Sequence, residues 1–224
     1  GLIDVIIDTT GAVEFGATLA MRAFQNRKHV VLLNTELDST LGPILKAHAD
    51  AAGVTLTNTD GDEPGVAMNL VRYLRSIGLK PVATGNLKGM VDRYRNPETQ
   101  IEFAAKHSMN PKIVASFADG TKLCMEAAVI ANATGFKVGT RGMYGPRCTH
   151  VNEIIQHLPM DQMLAGGIVD YALGAAPYTG AFVVVHEEHP ARKSHLAYFK
   201  MGEGPLFVFY TPYHLPHLQI ASTI

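Results

Sequence analysis

The stretch that decides the fold is Ile3-Asp4-Val5-Ile6-Ile7-Asp8-Thr9-Thr10-Gly11. It reads as a short, buried parallel strand that ends in Asp-Thr-Thr-Gly and turns straight into a helical pattern from Val13 to Asn26. The same unit then repeats. His29–Leu33 is an apolar strand, Thr40–Ala52 a helix closed by Gly53, and Val54–Thr57 a short strand. Val66–Ile77 is an amphipathic helix with Val66, Leu70, Val71 and Leu74 on one face, closed by Gly78, and Pro81–Thr84 is the next strand. Short apolar runs separated by helices of this length predict βαβ units, right-handed crossovers and a parallel sheet.

Strands that end in small hydroxyl residues and glycine occupy the middle of dinucleotide-binding sheets, beside the nicotinamide half of the cofactor. The phosphate-cradling Gly-x-Gly-x-x-Gly turn of such folds lies about three βα units earlier. Residues 1–84 therefore read as the C-terminal half of a Rossmann-type, NAD(P)-binding α/β domain, and the chain as an internal piece of a longer oxidoreductase. After Gly85 the pattern changes. Gly85-Asn86-Leu87-Lys88-Gly89 reads as a turn, helices are predicted from about Glu98 and over about Thr121 to Ala133, and residues 150–158 and 161–173 carry two further short helical patterns. Ala181–His186, Leu196–Lys200 and Leu206–Tyr210 are β-rich runs between polar and Gly-Pro turns, as in an antiparallel meander. Residues 85–224 are thus expected to form an α+β catalytic and dimerisation domain on a mixed or antiparallel sheet, incomplete at its C-terminal end.

Composition narrows the class. The 224 residues are 47% apolar and 17% charged with a net charge of −1, which gives no long-range attraction to nucleic acid or an anionic membrane. No apolar run approaches the roughly 18 residues of a membrane-spanning helix. The two cysteines, Cys124 and Cys148, lack a Cys-x-x-Cys spacing and read as buried thiols of a cytoplasmic protein.

Several motifs carry chemistry. Thr9, Thr10 and Gly11 close a strand at its carboxyl end, where ligands collect in open α/β sheets; the alternative is a plain capped turn. Asn34-Thr35-Glu36-Leu37-Asp38 holds the equivalent position one strand on, and either caps a helix or lines the cleft through Asn34 and Glu36. Asp60-Gly61-Asp62-Glu63-Pro64-Gly65 offers carboxylates to a divalent cation such as Mg²⁺ or Mn²⁺, or an acidic cap to the helix that follows. In Asp119-Gly120-Thr121-Lys122-Leu123-Cys124-Met125-Glu126, Lys122 and Glu126 share a helix face with Asp119 near its start. A lysine held by carboxylates can polarise a carbonyl or donate a proton as hydride arrives; a surface ion pair is the bland alternative. Lys88, Arg93, Arg95, Arg141 and Arg147 fall in turns, where guanidinium groups suit an anionic substrate. His186-Glu187-Glu188-His189 and His214-Leu215-Pro216-His217 lack the helical spacing of a zinc site.

Gly85-Asn86-Leu87-Lys88-Gly89, Tyr94-Arg95-Asn96-Pro97, the Ser116–Lys122 run, Ala131-Asn132-Ala133-Thr134-Gly135 and Tyr213-His214-Leu215-Pro216-His217 together resemble the homoserine-dehydrogenase-like oxidoreductases. Within that group the chain is most similar to the 1-deoxy-D-xylulose 5-phosphate reductoisomerase-like enzymes that carry a SAF domain. The resemblance implies NADP(H) at Thr9, Thr10 and Gly11, catalysis by Lys122 with Asp119 and Glu126, assisted by Lys88, and a homodimer. It implies a small anionic hydroxy-carbonyl substrate gripped by Arg93, Arg95 or Arg141, in a step toward isoprenoid precursors. Two residues separate Asp119 from Lys122 where homoserine dehydrogenases have three, which speaks against homoserine as substrate and keeps the role of Lys122, and an arginine clamp suited to phosphate speaks against aspartate semialdehyde. A non-catalytic dinucleotide-sensing domain is the reading from another class.

Overall fold

The computed structural model describes residues 2–224. In chain order the elements are β1 (Val5–Asp8), α1 (Val13–Gln25), β2 (His29–Leu32), α2 (Thr35–Ala52), β3 (Leu56–Asn58), α3 (Glu63–Ser76) and β4 (Lys80–Lys88). They continue with α4 (Ile101–Lys106), α5 (Pro111–Asp119), α6 (Thr121–Thr134), β5 (Lys137–Val138), α7 (Met160–Leu164) and β6 (Ile168–Leu173). Last come β7 (Ala181–His186), α8 (Pro190–Tyr198), β8 (Leu206–Thr211) and α9 (Ile220–Thr223), with 3-10 turns at Glu98–Gln100 and Val151–Gln156. The architecture is α/β, with one parallel and one mixed sheet.

The βαβ alternation produces a three-stranded parallel sheet in the order β1-β2-β3, with Asp8 beside Leu32 and Leu32 beside Asn58. α1 buries Gly16, Ala20, Ala23 and Phe24 at helical spacing, and Leu37, Leu45 and Ala49 of α2 meet them over Val30 and Leu32. β1 is an edge strand of this sheet, and Ile7 is 37% exposed, so the strand is half-solvated instead of buried. The fourth strand departs from the expected pattern more sharply. β4 runs on through Gly85 to Lys88, the segment expected to turn, and belongs to the second sheet, ordered β5-β6-β4-β7-β8. Its pairing with β6 is parallel and with β7 antiparallel, so the sheet is mixed and not a simple meander.

Alternation along the mixed sheet divides its core in two. Ile168, Ala172, Phe182, Val184 and Val208 pack with Val151, Ile154 and Met163 on one face. Val169, Ala181, Val183, Val185 and Phe207 pack beneath α3 and α6 on the other. Phe182 and Phe207 are fully buried, and each such ring stabilises the fold by about 1.5–3 kcal/mol. Two further expectations are corrected. Residues 168–173 of the predicted 161–173 helix form β6, whose Ile-Val…Ala-Leu spacing satisfies either period but meets β4 in the fold. Leu196–Tyr198, read as strand, ends α8, which Pro190 starts. Among the described residues no helix is long and apolar enough to cross a membrane. Both cysteines are free thiols; Cys148 is buried, whereas Cys124 is exposed against expectation.

Candidate functional site

The site is built where the two sheets meet, and the local sequence explains each arm of it. Asn34 caps α2 by accepting from the Leu37 amide at 3.1 Å, so the helix begins five residues before its apolar pattern does and carries Glu36 in its first turn. Asp62 stands before α3 with its side chain free of the helix end, accepting instead from the Thr35 hydroxyl at 3.0 Å. Glu63 opens α3 and points inward. In α6 the buried stripe is Leu123, Glu126, Ala127 and Ile130, so Glu126 occupies a position that periodicity reserves for an apolar side chain. Lys88 closes β4 and reaches between the acids: its Nζ lies 3.2 Å from Glu63 and 3.7 Å from Glu126. The Asn86 amide, two residues earlier on the same strand, donates to Glu126 from below.

The cleft over this cluster encloses about 540 Å³ and is lined by Thr9, Thr10 and Gly11 on one rim, Glu36 and Lys122 beside them, and Met109, Ile113 and Phe117 opposite. Lys122 Nζ lies 3.6 Å from Glu36. His214 enters from the C-terminal segment, with Nε2 at 3.4 Å from Glu63 and Nδ1 at 3.1 Å from the Thr179 hydroxyl. With Nδ1 occupied by Thr179, the Nε2–H bond faces the Glu63 carboxylate. The segment is strapped in place: the Leu215 amide donates to the Gly61 carbonyl at 3.0 Å, and Thr59 Oγ1 donates to the Pro216 carbonyl.

Burial and charge set the protonation states. Burial pushes the Glu126 carboxyl up to about 8, with the Glu63 charge adding to the effect, so it carries a proton at neutral pH. Burial likewise raises Asp62, to about 6, and the neighbouring Glu63 adds to it. Burial also opposes the charge on Glu63, but Lys88 and His214 outweigh it and hold Glu63 well below the usual carboxylate range. Burial presses Lys88 toward neutrality, while the Glu63 carboxylate beside it opposes this and favours the charged ammonium. The result is a buried Glu63 carboxylate and Lys88 ammonium flanked by a protonated acid.

Of the residues expected in the site, Lys88, Lys122, Glu126, Glu36, Thr9, Thr10 and Gly11 all line the cleft. Thr10 spends its hydroxyl proton on Asp8 at 2.7 Å, and Asn34 is buried beneath, donating to Asp8 at 2.8 Å. Asp119 turns away, its Oδ1 accepting from the Thr121 amide at 2.7 Å. It lines a separate hollow of about 930 Å³ on the other flank of α6, together with Arg93 and Cys124. Arg93 donates to the Tyr94 hydroxyl at 2.7 Å, Arg95 pairs with Asp92 at 3.0 Å, and Arg141 is exposed elsewhere. None of the three arginines reaches the cleft. Asp62, Glu63, His214 and His217 also line the cleft. The sequence offered the first two as cation ligands or a helix cap and set the histidines aside as a metal pattern, and it placed none of them beside Lys88.

The model of the family described as oxidoreductase DRL, catalytic domain, matches residues 61–220. The chain belongs to that family. The match takes in Asp62, Glu63, Lys88, Lys122, Glu126 and His214, so the whole polar cluster lies inside the DRL catalytic domain, with the Thr9–Gly11 rim before it. Among solved structures, a homoserine dehydrogenase from Thiobacillus denitrificans is 20% identical with a TM-score of 0.42, over 60% of this chain and 33% of that one. A putative homoserine dehydrogenase from Archaeoglobus fulgidus is 19% identical with a TM-score of 0.40, over 65% of this chain and 47% of that one. The DRL-type chain spans less than half the length of either, and both are too distant to transfer a residue or an activity. No curated protein matches it.

Proposed function

We propose that this chain carries the catalytic site of a nicotinamide-dependent oxidoreductase acting on a small carbonyl substrate that bears an amino group, as in reduction of aspartate semialdehyde. The observation that carries the reading is Lys88, an ammonium braced by Glu63 and Glu126 at the floor of a cleft rimmed by Thr9, Thr10 and Gly11. The rim fits a flat ring: the backbone at Gly11 has open space where a side chain would stand, and the Thr9 side chain is exposed. Thr9, Thr10 and Gly11 would hold the nicotinamide end of a dinucleotide, which supplies hydride chemistry.

Lys88 acts at the substrate oxygen. As negative charge develops there, the ammonium stabilises it and then gives up a proton to form the hydroxyl. After that transfer the Lys88 amine takes a proton from Glu63 as Glu63 takes the Nε2 proton of His214, and the ring is reprotonated at Nδ1 by the Thr179 hydroxyl, which solvent resupplies. Met109, Ile113 and Phe117 supply an apolar stretch of the cleft lining.

Charge selects the substrate. Glu36, Asp62 and Glu63 outnumber Lys88 and Lys122 in the cleft even with Glu126 protonated. A phosphate dianion is repelled by such a surplus, and the arginines suited to grip it lie outside. An ammonium-bearing substrate is favoured, so the aspartate-semialdehyde type of reaction displaces the deoxyxylulose-phosphate type as the leading reading. The acids fit a divalent ion poorly. Asp62, Glu63 and Glu126 bring one oxygen each within 4.8 Å, but the Lys88 ammonium already stands against two of them and would oppose a dication. The reaction proposed here therefore runs through no metal.

The test is turnover by the full-length protein with NADPH or NADH, offered aspartate semialdehyde and, separately, 1-deoxyxylulose 5-phosphate. Reduction of the semialdehyde that falls by about 10²–10⁴-fold in Lys88→Met, with dinucleotide binding retained, is expected. Turnover of the phosphate alone overturns the substrate assignment, and dinucleotide binding with no turnover of either favours a sensing domain.

A further inference from the structure

We propose that Cys148, Glu153 and His157 form a zinc-binding site on the face of the mixed sheet opposite the cleft. One donor atom from each, a thiol sulfur, a carboxylate oxygen and a ring nitrogen, lies within 4.8 Å of the other two. None of the three residues lines the cleft, and Cys148 packs with Val151 and Ile154 in the core on the face away from α3 and α6. The site is independent of the reaction proposed above.

The backbone holds the donors in place. The Cys148 amide donates to the Leu173 carbonyl at 3.1 Å, and two residues on, Thr149 and Val151 exchange bonds with Ala176. The chain therefore runs as an added strand along the extension of β6 before entering the 3-10 turn Val151–Gln156. Val151 and Ile154 anchor that turn in the core at 0% exposure, which fixes where Glu153 and His157 leave it. Glu153 is pinned further by the Thr149 amide at 2.9 Å and by the Thr149 hydroxyl. Only one lone pair on each oxygen is used in this way, so the carboxylate can still ligate. His157 is exposed at the end of the turn, and one of its ring nitrogens already lies within 4.8 Å of the Cys148 sulfur and a Glu153 oxygen.

The donor set selects the metal. Thiolate, imidazole and carboxylate together suit Zn²⁺, a borderline-soft ion, and not Mg²⁺ or Ca²⁺, which take oxygen ligands. Tetrahedral zinc with three protein ligands leaves a fourth position, and exposure of His157 opens it to water. On binding, the Cys148 S–H bond breaks, sulfur bonds to the metal, and the proton passes to buffer.

The test is titration of the tag-free chain with Co²⁺ and with Zn²⁺ in competition with a chromophoric chelator. The expected result is one equivalent bound with a sulfur-to-cobalt charge-transfer band. Cys148→Ser abolishes the band, His157→Ala weakens binding by about 10-fold or more, and Cys124→Ser changes neither. Because His157 is exposed, its variant keeps the fold, which far-UV circular dichroism verifies. A band that survives Cys148→Ser, one that disappears in Cys124→Ser, or binding unaltered by His157→Ala overturns the site.

Discussion

At the scale of single residues, the cluster ties function to proton inventory. Glu126 titrates near 8 in the fold against an ordinary carboxyl value of 4.5, so the native state holds a proton the unfolded chain has released. Stability contributed by that proton is complete below about pH 4.5 and is lost as pH rises toward 8. Above pH 6 Asp62 has largely released its own proton, which isolates Glu126 in the window from 6 to 8. Urea unfolding of wild type there should lose up to about 1.4 kcal/mol per pH unit, and Glu126→Gln should flatten the slope. Parallel slopes in the two proteins would refute this protonation state. His214 makes a second prediction: His214→Ala should slow turnover by about 10-fold or more, with partial recovery on adding imidazole, whereas a merely structural histidine gives no recovery. Lys122 and Glu126 were legible because both fall at helical spacing in one run. His214 was not, because its partner Glu63 lies about 150 residues away in the chain, and Pro216 takes His214 and His217 out of helical metal-ligand spacing.

At the scale of elements, β4 carries the lesson. Gly85-Asn86-Leu87-Lys88-Gly89 has the composition of a turn, yet it continues the central strand because Gly85 sits directly against Asp170 of β6. A Cβ added at Gly85 would lie 1.6 Å from the Asp170 carbonyl oxygen, so the glycine serves close strand approach and not a bend. Gly85→Ala should cost more than about 4 kcal/mol. Gly53→Ala should cost only about 1–2 kcal/mol, since Gly53 takes a left-handed φ of +68° with nothing within 4 Å of the new methyl. Thermal melts of the two variants separate steric from conformational need. The start of α5 was readable in principle: Asn110 caps it from the Lys112 amide at 2.9 Å and Pro111 takes its first position. The start of α2 was obscured, because its first turn, Thr35–Asp38, is mostly polar and sends Glu36 into the cleft, breaking the apolar period that its later turns keep.

At the scale of the whole molecule, the alternation of strands and helices was plain from composition and period, while the partition of strands between sheets was not. Periodicity states what a strand buries and says nothing of its neighbour, so β4 reads the same in either sheet. The partition has a measurable outcome. β4 and β7 are interior strands buried except at their ends, whereas β1 is a half-exposed edge, so amide exchange should be slowest in β4 and β7 and fastest in β1. Comparable protection in β1 would contradict the arrangement. Deleting residues 212–224 should lower thermal stability and remove His214 from the cleft, because Thr59 bonds to Pro216 across 157 residues and Asp60 to Thr223 across 163. The same strap orders events on the ribosome. Synthesis proceeds from the N-terminus at about 5–20 residues per second, so the β1-β2-β3 sheet can close before residue 214 exists. A nascent chain thus carries its first folded sheet without the proton entrance, and the cleft is complete only once His214 has joined it.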